Sequence, residues 1–421
     1  MTSLKRTDPR YRGKILVALM LLGLILRFHA IRLDTLTYPD STRYLHLAQE
    51  MNSGKWFSAN LDLFEGFMDS RRLAPLYSLL VSPFAATTDK LLIAGTMISI
   101  LASVLTFIPL FVIGERLFSE EAALFACSLW AIHPFVLNYS GQVLTEPLFC
   151  LLFLSVTALI VLAFEEPSFK VLAASGAASA LLYTTREAGI SAICVTLFAL
   201  ACKWHLFDKE EVQIIVKRLI IPLVVFLIFV TPFLLHLRIR LGHWAITGRF
   251  SKIGITRVVR AVGSTIDGKN SVRGRNAKVI SGSSFAVARA FVKKVVSNFF
   301  AYGTALCSEL GLLLTLLCIA SIGTLWQPEK KNLLSVGLMT LLICQLLLLY
   351  AIATPCMLDA RYVYPLVPIC FLLASAGCFF VQKLIAQPTP RGVLAISFLV
   401  VFVVNLPSIA KVFDIYSEAT T

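Results

Sequence analysis

One pattern runs the length of this chain: long apolar runs, each closed by a short charged connection. A hydrocarbon core about 30 Å thick takes helices of about twenty apolar residues, and these runs are of that kind. The first covers about Ile15 to Ile31. Others fall near 91–113, 120–138, 147–164, 171–185, 188–204, 219–238, 308–326, 333–354, 362–381 and 393–410. The expected fold class is therefore an all-α polytopic membrane protein with about 11 transmembrane helices (range 10–13). Only 15% of residues are charged, against about a quarter in soluble domains. The deficit is spread over the whole length, so residues 1–421 read as a single membrane domain with no separate soluble domain. The stretch 171–204 reads either as two short spans hinged at Thr184-Thr185-Arg186-Glu187 or as one long broken element.

Charge placement orients these spans. Residues 1–14 carry Lys5, Arg6, Arg10, Arg12 and Lys14, which predicts a cytoplasmic N-terminus. The run after them has a basic flank and no small-residue cleavage site, so it reads as a signal anchor. Eleven spans counted from there make GERLFSEE, FEEPSFK, KWHLFDKEEVQIIVKR, QPEKKN and QKLIAQPTPR cytoplasmic, and each carries Lys or Arg. The short outer connections NYSGQVLTEP, TTREA and ATPCMLDARY hold only Arg186 and Arg361. The loop 241–307 is outside by parity yet basic, and it ends in an amphipathic stretch from Phe285 to Phe300. It reads either as a basic interfacial helix or as a solvated loop. Ten cysteines form no CxxC pair and no Cys/His spacing for a metal, so they read as small buried apolar residues. The formal net charge of +14 suits anionic membrane lipids or phosphate-bearing substrates. No nucleic-acid-binding motif interrupts the apolar runs.

The first outer loop, 33–89, is too broken by Pro, Gly and charge to span. Two interfacial helices are the economical reading. The first is PDSTRYLHLAQEM, in which Tyr44, Leu47, Ala48 and Met51 form an apolar stripe while Ser41, Arg43, His46, Gln49 and Glu50 take the other face. The second is LAPLYSLLVSPF. Asp40 opens the first helix, either as its N-cap or as a functional carboxylate. Glu146 follows the same duality: in LTEPLF it sits in a first helical turn, where a carboxylate complements the dipole. Arg186 has Glu187 beside it as a partner. Arg361 opens a span, where a cation is disfavoured unless Asp359 or an external anion neutralises it.

Asp40, Glu146, Arg186 and Arg361 all emerge on the outer side by this count. A carboxylate at the interface can take a proton from an attacking hydroxyl. Arginines hold a phosphate bidentately and stabilise it as it leaves. The candidate set is catalytic Asp40 and Glu146, phosphate-binding Arg186, Arg361, Arg72 and Lys55, and Tyr44 and Tyr139 lining a substrate groove. That set suits transfer of a group from a lipid phosphate to a hydroxyl.

The ordered pieces PDSTRYLHLAQEM, RLAPLYSLLVSPF, IHPFVLNYSGQVLTEPLFCLLF, LLYTTREAGISAI and ARYVYPLVPICFLLASAG resemble the GT-C membrane glycosyltransferases. The likeness is to the protein O-mannosyltransferase and lipid A aminoarabinose transferase branch, and it covers roughly residues 10–205 and 355–381. It implies an inverting hexosyl- or pentosyl-type transferase. The donor would be a polyprenyl-phosphate sugar and the acceptor a lipid- or glycan-linked hydroxyl, or a protein. Asp40 would match the family's first-loop acid, Glu146 the acid before the fourth span, and Arg186 and Arg361 basic positions near the donor phosphate. Many relatives carry two adjacent acids in the first loop, whereas Ser41 follows Asp40 here. No obligatory metal or other cofactor is therefore expected. The spans are not separated by long luminal insertions of the eukaryotic type, so the expected place is a bacterial inner membrane, with the site on the periplasmic face. Two other readings compete: a lipid-linked polysaccharide polymerase or ligase, which the basic outer loop would suit, and a secondary transporter, which would show internal repeats.

Overall fold

A computed structural model describes residues 9–31, 38–54, 73–85, 88–247, 284–326, 330–353 and 359–385. All regular structure among these residues is helical. The chain forms α1 (Pro9–His29), α2 (Pro39–Asn52), α3 (Leu76–Val81), α4 (Thr88–Leu105), α5 (Phe107–Leu117), α6 (Glu120–Ile132), α7 (Pro134–Ser140), α8 (Glu146–Glu165), α9 (Phe169–Thr185) and α10 (Ile190–Cys202). It continues with α11 (Val212–Leu241), α12 (Ser284–Ala320), α13 (Lys330–Ala353), a 3₁₀ turn (Ala360–Leu366) and α14 (Val367–Ile385). Among the described residues, six stretches are long and apolar enough to cross a membrane: 91–117, 146–165, 187–207, 212–241, 292–323 and 360–382. The bent pair α6–α7 makes a seventh. Helices α1, α9 and α13 lie among them. The run expected at 393–410 lies outside the described residues.

Local chemistry sets the breaks. Pro134 has no N–H and forces the residue before it into extended backbone, so His133 sits at ψ 126° and α6 and α7 meet at 59°. Arg186 is also extended (φ −150°, ψ 139°) and ends α9. A 3₁₀ turn, Glu187–Gly189, then leads into α10. Gly189 lies against the backbone of Leu182, an approach that a side chain would block. The stretch 171–204 is therefore two helices with a turn at Arg186. The basic loop differs from expectation in extent. Its amphipathic end does not stop at Phe300 but runs on as α12 to Ala320, kinked at Gly311 (φ 77°).

Helix α2 corrects the face assignment in part. Tyr44, Leu47 and Ala48 are buried as the stripe predicts, but Ser41 and Glu50 are buried too. Helix α2 packs on two sides, against α3 and against the turn between α7 and α8. The Ser41 hydroxyl donates to the Val143 carbonyl at 2.8 Å, and Ser78 of α3 donates to the Tyr44 carbonyl at 2.9 Å. Polar residues with backbone partners can be buried cheaply, and a periodicity argument cannot see those partners.

The core centres on α6, α8 and α14, whose Trp130, Phe149, Phe153 and Phe371 are fully enclosed. Helices α11 and α12 are largely exposed on their flanks, as helices facing lipid are. Arg27 is a cation within this interior, 0% exposed. It donates to Ser103 Oγ (2.8 Å), the Gly23 carbonyl (3.0 Å) and the Trp130 carbonyl (3.1 Å), and lies 5.7 Å from the ring centroids of both Phe107 and Trp130. These contacts tie α1 to α4, α5 and α6. At the other end of α1, Arg12 reaches Glu115 (2.6 Å) and Glu120 (3.5 Å).

Helices α9 and α11 pack at Gly176, where a Cβ would press on the Pro222 carbonyl. Small residues at such crossings let membrane helices approach closely. Gly176→Val should lower stability by about 1–3 kcal/mol, because the neighbour is backbone and cannot yield. Gly337→Ala, with nothing within 4 Å of the added carbon, should not. Thermal unfolding of the two purified variants checks this. Equal midpoints would show that the crossing is looser than described.

Candidate active site

Four separate parts of the chain deliver side chains to one place: the start of α2, the start of α8, the α9–α10 turn and the 3₁₀ turn before α14. At α2, Pro39 occupies the first helical turn and Tyr38 before it is extended (φ −124°, ψ 137°), making Tyr38 the N-cap. Asp40 is thus one residue inside the helix, and no side chain caps it. This removes the N-cap reading of Asp40. Its carboxylate instead accepts from Arg361 Nη2 at 2.9 Å and faces Arg43, one turn on, at 3.5 Å.

Arg361 is the hub. Asp359 caps its 3₁₀ turn, with Oδ1 accepting from the Arg361 backbone N–H at 3.1 Å. The other Asp359 oxygen lies 2.8 Å from Arg361 Nε, and Glu146 Oε1 lies 3.7 Å from the same nitrogen. One guanidinium therefore answers three carboxylates. Its guanidinium carbon lies over two aromatic rings, 4.9 Å from the Tyr38 centroid and 5.3 Å from that of Tyr362, cation–π contacts that Arg makes readily.

Glu146 is almost wholly buried, 1% exposed. It opens α8 ahead of Pro147, as the sequence predicts. Its main partner is not the helix dipole but Arg186, whose Nη1 lies 2.5 Å from Oε1. Arg186 thus reaches across to α8 in preference to the neighbouring Glu187 that its sequence position suggested. Burial works against the charge of Arg186, and Glu146 outweighs it, leaving the guanidinium pKa raised. Arg186 also lies 5.0 Å from the Tyr362 centroid, so both arginines rest against this one ring.

The other candidates divide. Tyr139 lies at the rim of the cluster, its ring 6.3 Å from Tyr38 and its hydroxyl 3.5 Å from that of Tyr38. Tyr44 is a packing residue rather than a groove wall. It is 4% exposed, meets Tyr77 edge-on at 5.5 Å and places its hydroxyl 3.4 Å from that of Thr145. The apolar stripe of α2 to which it belongs is buried against α3. Lys55 and Arg72 lie outside the described residues. Sequence reasoning missed Tyr38 and Tyr362 as partners of Arg361. Their only signal is position, beside Asp40 in one case and Arg361 in the other.

Three carboxylates (Asp40, Glu146, Asp359) and three guanidiniums (Arg43, Arg186, Arg361) thus form one network. It offers a base adjacent to cations that can exchange a carboxylate for a phosphate, since both ligands fit the same planar fork.

Against this geometry the known proteins are informative. The sequence model of the dolichyl-phosphate-mannose-protein mannosyltransferase family matches residues 73–236, a stretch that includes Glu146 and Arg186. Solved structures share the fold. The Archaeoglobus fulgidus oligosaccharyltransferase, in complex with Zn and sulfate, is 14% identical with a TM-score of 0.59 and aligns with 95% of this chain and 52% of its own. ArnT from Cupriavidus metallidurans, bound to undecaprenyl phosphate, is 15% identical with a TM-score of 0.57, over 93% and 64%. The oligosaccharyltransferase AglB from Archaeoglobus fulgidus, in complex with an inhibitory peptide and a dolichol-phosphate, is 12% identical with a TM-score of 0.61, over 96% and 55%. The chain thus spans about half to two-thirds of the length of these proteins. No curated protein matches its sequence. The fold is that of the GT-C membrane glycosyltransferases.

Proposed function

We propose that this chain is an integral membrane glycosyltransferase that moves a hexose or pentose from a polyprenyl-phosphate donor to a hydroxyl on a glycolipid, glycan or protein, with inversion. The observation that carries this reading is the meeting of Asp40, Glu146, Arg186 and Arg361 in one buried charge network. As the acceptor oxygen bonds to the anomeric carbon, that carbon's bond to the phosphate oxygen breaks. Asp40 takes the hydroxyl proton. The leaving polyprenyl phosphate keeps the electron pair, and Arg186 and Arg361 meet its charge. Before donor binds, Arg361 holds Asp40 at 2.9 Å. A phosphate competing for that guanidinium loosens the pair and leaves Asp40 a better proton acceptor.

Each carboxylate here is matched by an arginine. We assign the neutralising of phosphate charge to these arginines and expect no obligatory divalent metal. The charge bias of the connections supports a cytoplasmic N-terminus and a site on the outer face, in a bacterial inner membrane. The long amphipathic and basic flanks suit anionic lipids.

The purified full chain, in lipid discs with a labelled pool of polyprenyl-phosphate sugars and membrane acceptors, should move label from donor to acceptor at a rate unchanged by EDTA. If no lipid-phosphate sugar is bound or consumed, the proposal is wrong. If EDTA abolishes transfer, the metal-free mechanism is wrong.

A further inference from the structure

Among the described residues, the buried tyrosines nearly all have hydroxyl partners. Tyr77 donates to the Gly95 carbonyl at 2.9 Å, and Tyr183 donates to the Ile246 carbonyl. Tyr364 meets Ser103 at 3.3 Å, Tyr44 meets Thr145 at 3.4 Å, and Tyr139 meets Tyr38 at 3.5 Å. Tyr350 differs. It lies near the C-terminal end of α13, is 4% exposed, and its hydroxyl has no hydrogen-bond partner among the described residues. A buried hydroxyl without a partner destabilises a fold, and phenylalanine would fill the same space without that penalty.

Its surroundings are those of the charge network. The Tyr350 ring stacks on Tyr362, 5.3 Å between centroids at 25°, and Tyr362 is the ring that both Arg186 and Arg361 contact. Tyr302 contacts both rings, 6.1 Å from Tyr350 and 6.2 Å from Tyr362. Two aromatic contacts fix the ring, and through Tyr362 it joins the aromatic surface on which Arg186 rests.

We propose that the Tyr350 hydroxyl is a substrate-binding group that donates a hydrogen bond to a phosphate oxygen of the lipid-linked donor, beside Arg186. This rests on the reading of the chain as a transferase that uses a lipid phosphate. The pairing has a chemical logic. Arg186 is already engaged by Glu146 at 2.5 Å, so a phosphate arriving there needs a further donor for the oxygen that Arg186 does not cover. A hydrogen bond to a charged acceptor is among the stronger ones.

The test compares wild type and Tyr350→Phe for binding of a polyprenyl phosphate and of the same polyprenol without phosphate, together with the ligand-free unfolding midpoint. The variant should bind the phosphate about tenfold more weakly and the polyprenol equally well, with an unfolding midpoint equal to or above that of wild type. Equal phosphate affinity in both proteins overturns the proposal. So does an equal loss for both ligands, which would mean that the hydroxyl shapes the pocket and does not touch phosphate. If wild type binds no polyprenyl phosphate at all, the transferase reading itself falls.

Discussion

Asp40→Asn should reduce sugar transfer by about 10²–10⁴-fold, the range over which a positioned general base contributes, while donor binding stays close to wild type. The substitution keeps the shape of the side chain and removes its capacity to take a proton. The fold should tolerate it, because Arg361 retains Asp359 at 2.8 Å and α2 needs no cap from Asp40. Asp359→Asn is the informative comparison. Both carboxylates contact Arg361, so if Asp40 merely held that arginine, the two variants would lose activity alike. A base role predicts a much larger loss in turnover at saturating donor for Asp40→Asn than for Asp359→Asn. Single-turnover rates at saturating donor separate the cases. Near-normal turnover in Asp40→Asn would leave it as a structural partner of Arg361 and move attention to Glu146.

Much of this arrangement is legible in the sequence because membrane insertion imposes strong, local rules. Length and apolarity locate the helices, and the Lys and Arg of the connections fix which ends share a side. Those two rules alone put Asp40, Glu146, Arg186 and Arg361 at one face. Partners are a different matter. Arg361 and Asp40 stand 321 positions apart, and Arg186 and Glu146 stand 40 apart. Periodicity reports which face of a helix is apolar and carries no information about what meets it. Hence Glu187 stood as the natural partner of Arg186 until the turn at 186–189 directed its side chain to α8. The same limit explains Arg27. A single cation in a long apolar run hardly changes its hydropathy, and its three acceptors are a serine and two carbonyls, groups that no charge pattern displays. Tyr350 was equally silent, being one more aromatic residue in an apolar helix until its unpaired hydroxyl and its place beside Tyr362 became visible.

Glu146→Gln tests the other half of the network, and here the largest effect should be on stability. Glu146 is 1% exposed and engages Arg186, itself mostly buried, at 2.5 Å. Removing one partner of a buried pair costs about 3–5 kcal/mol, because the remaining charge is left uncompensated in a low-dielectric site. Glu146→Gln should therefore unfold well below wild type and lose transfer as well. Arg186→Met in the Glu146→Gln background removes the stranded cation, and most of the stability should return. Activity should not return, since the guanidinium that meets the leaving phosphate is then absent. That separation of stability from turnover follows only if Arg186 has two jobs, pairing with Glu146 at rest and holding phosphate during transfer. Recovery of both in the double variant would show that the pair is purely structural. Recovery of neither would mean that Glu146 acts through contacts other than the one to Arg186, with Arg361 at 3.7 Å the nearest alternative.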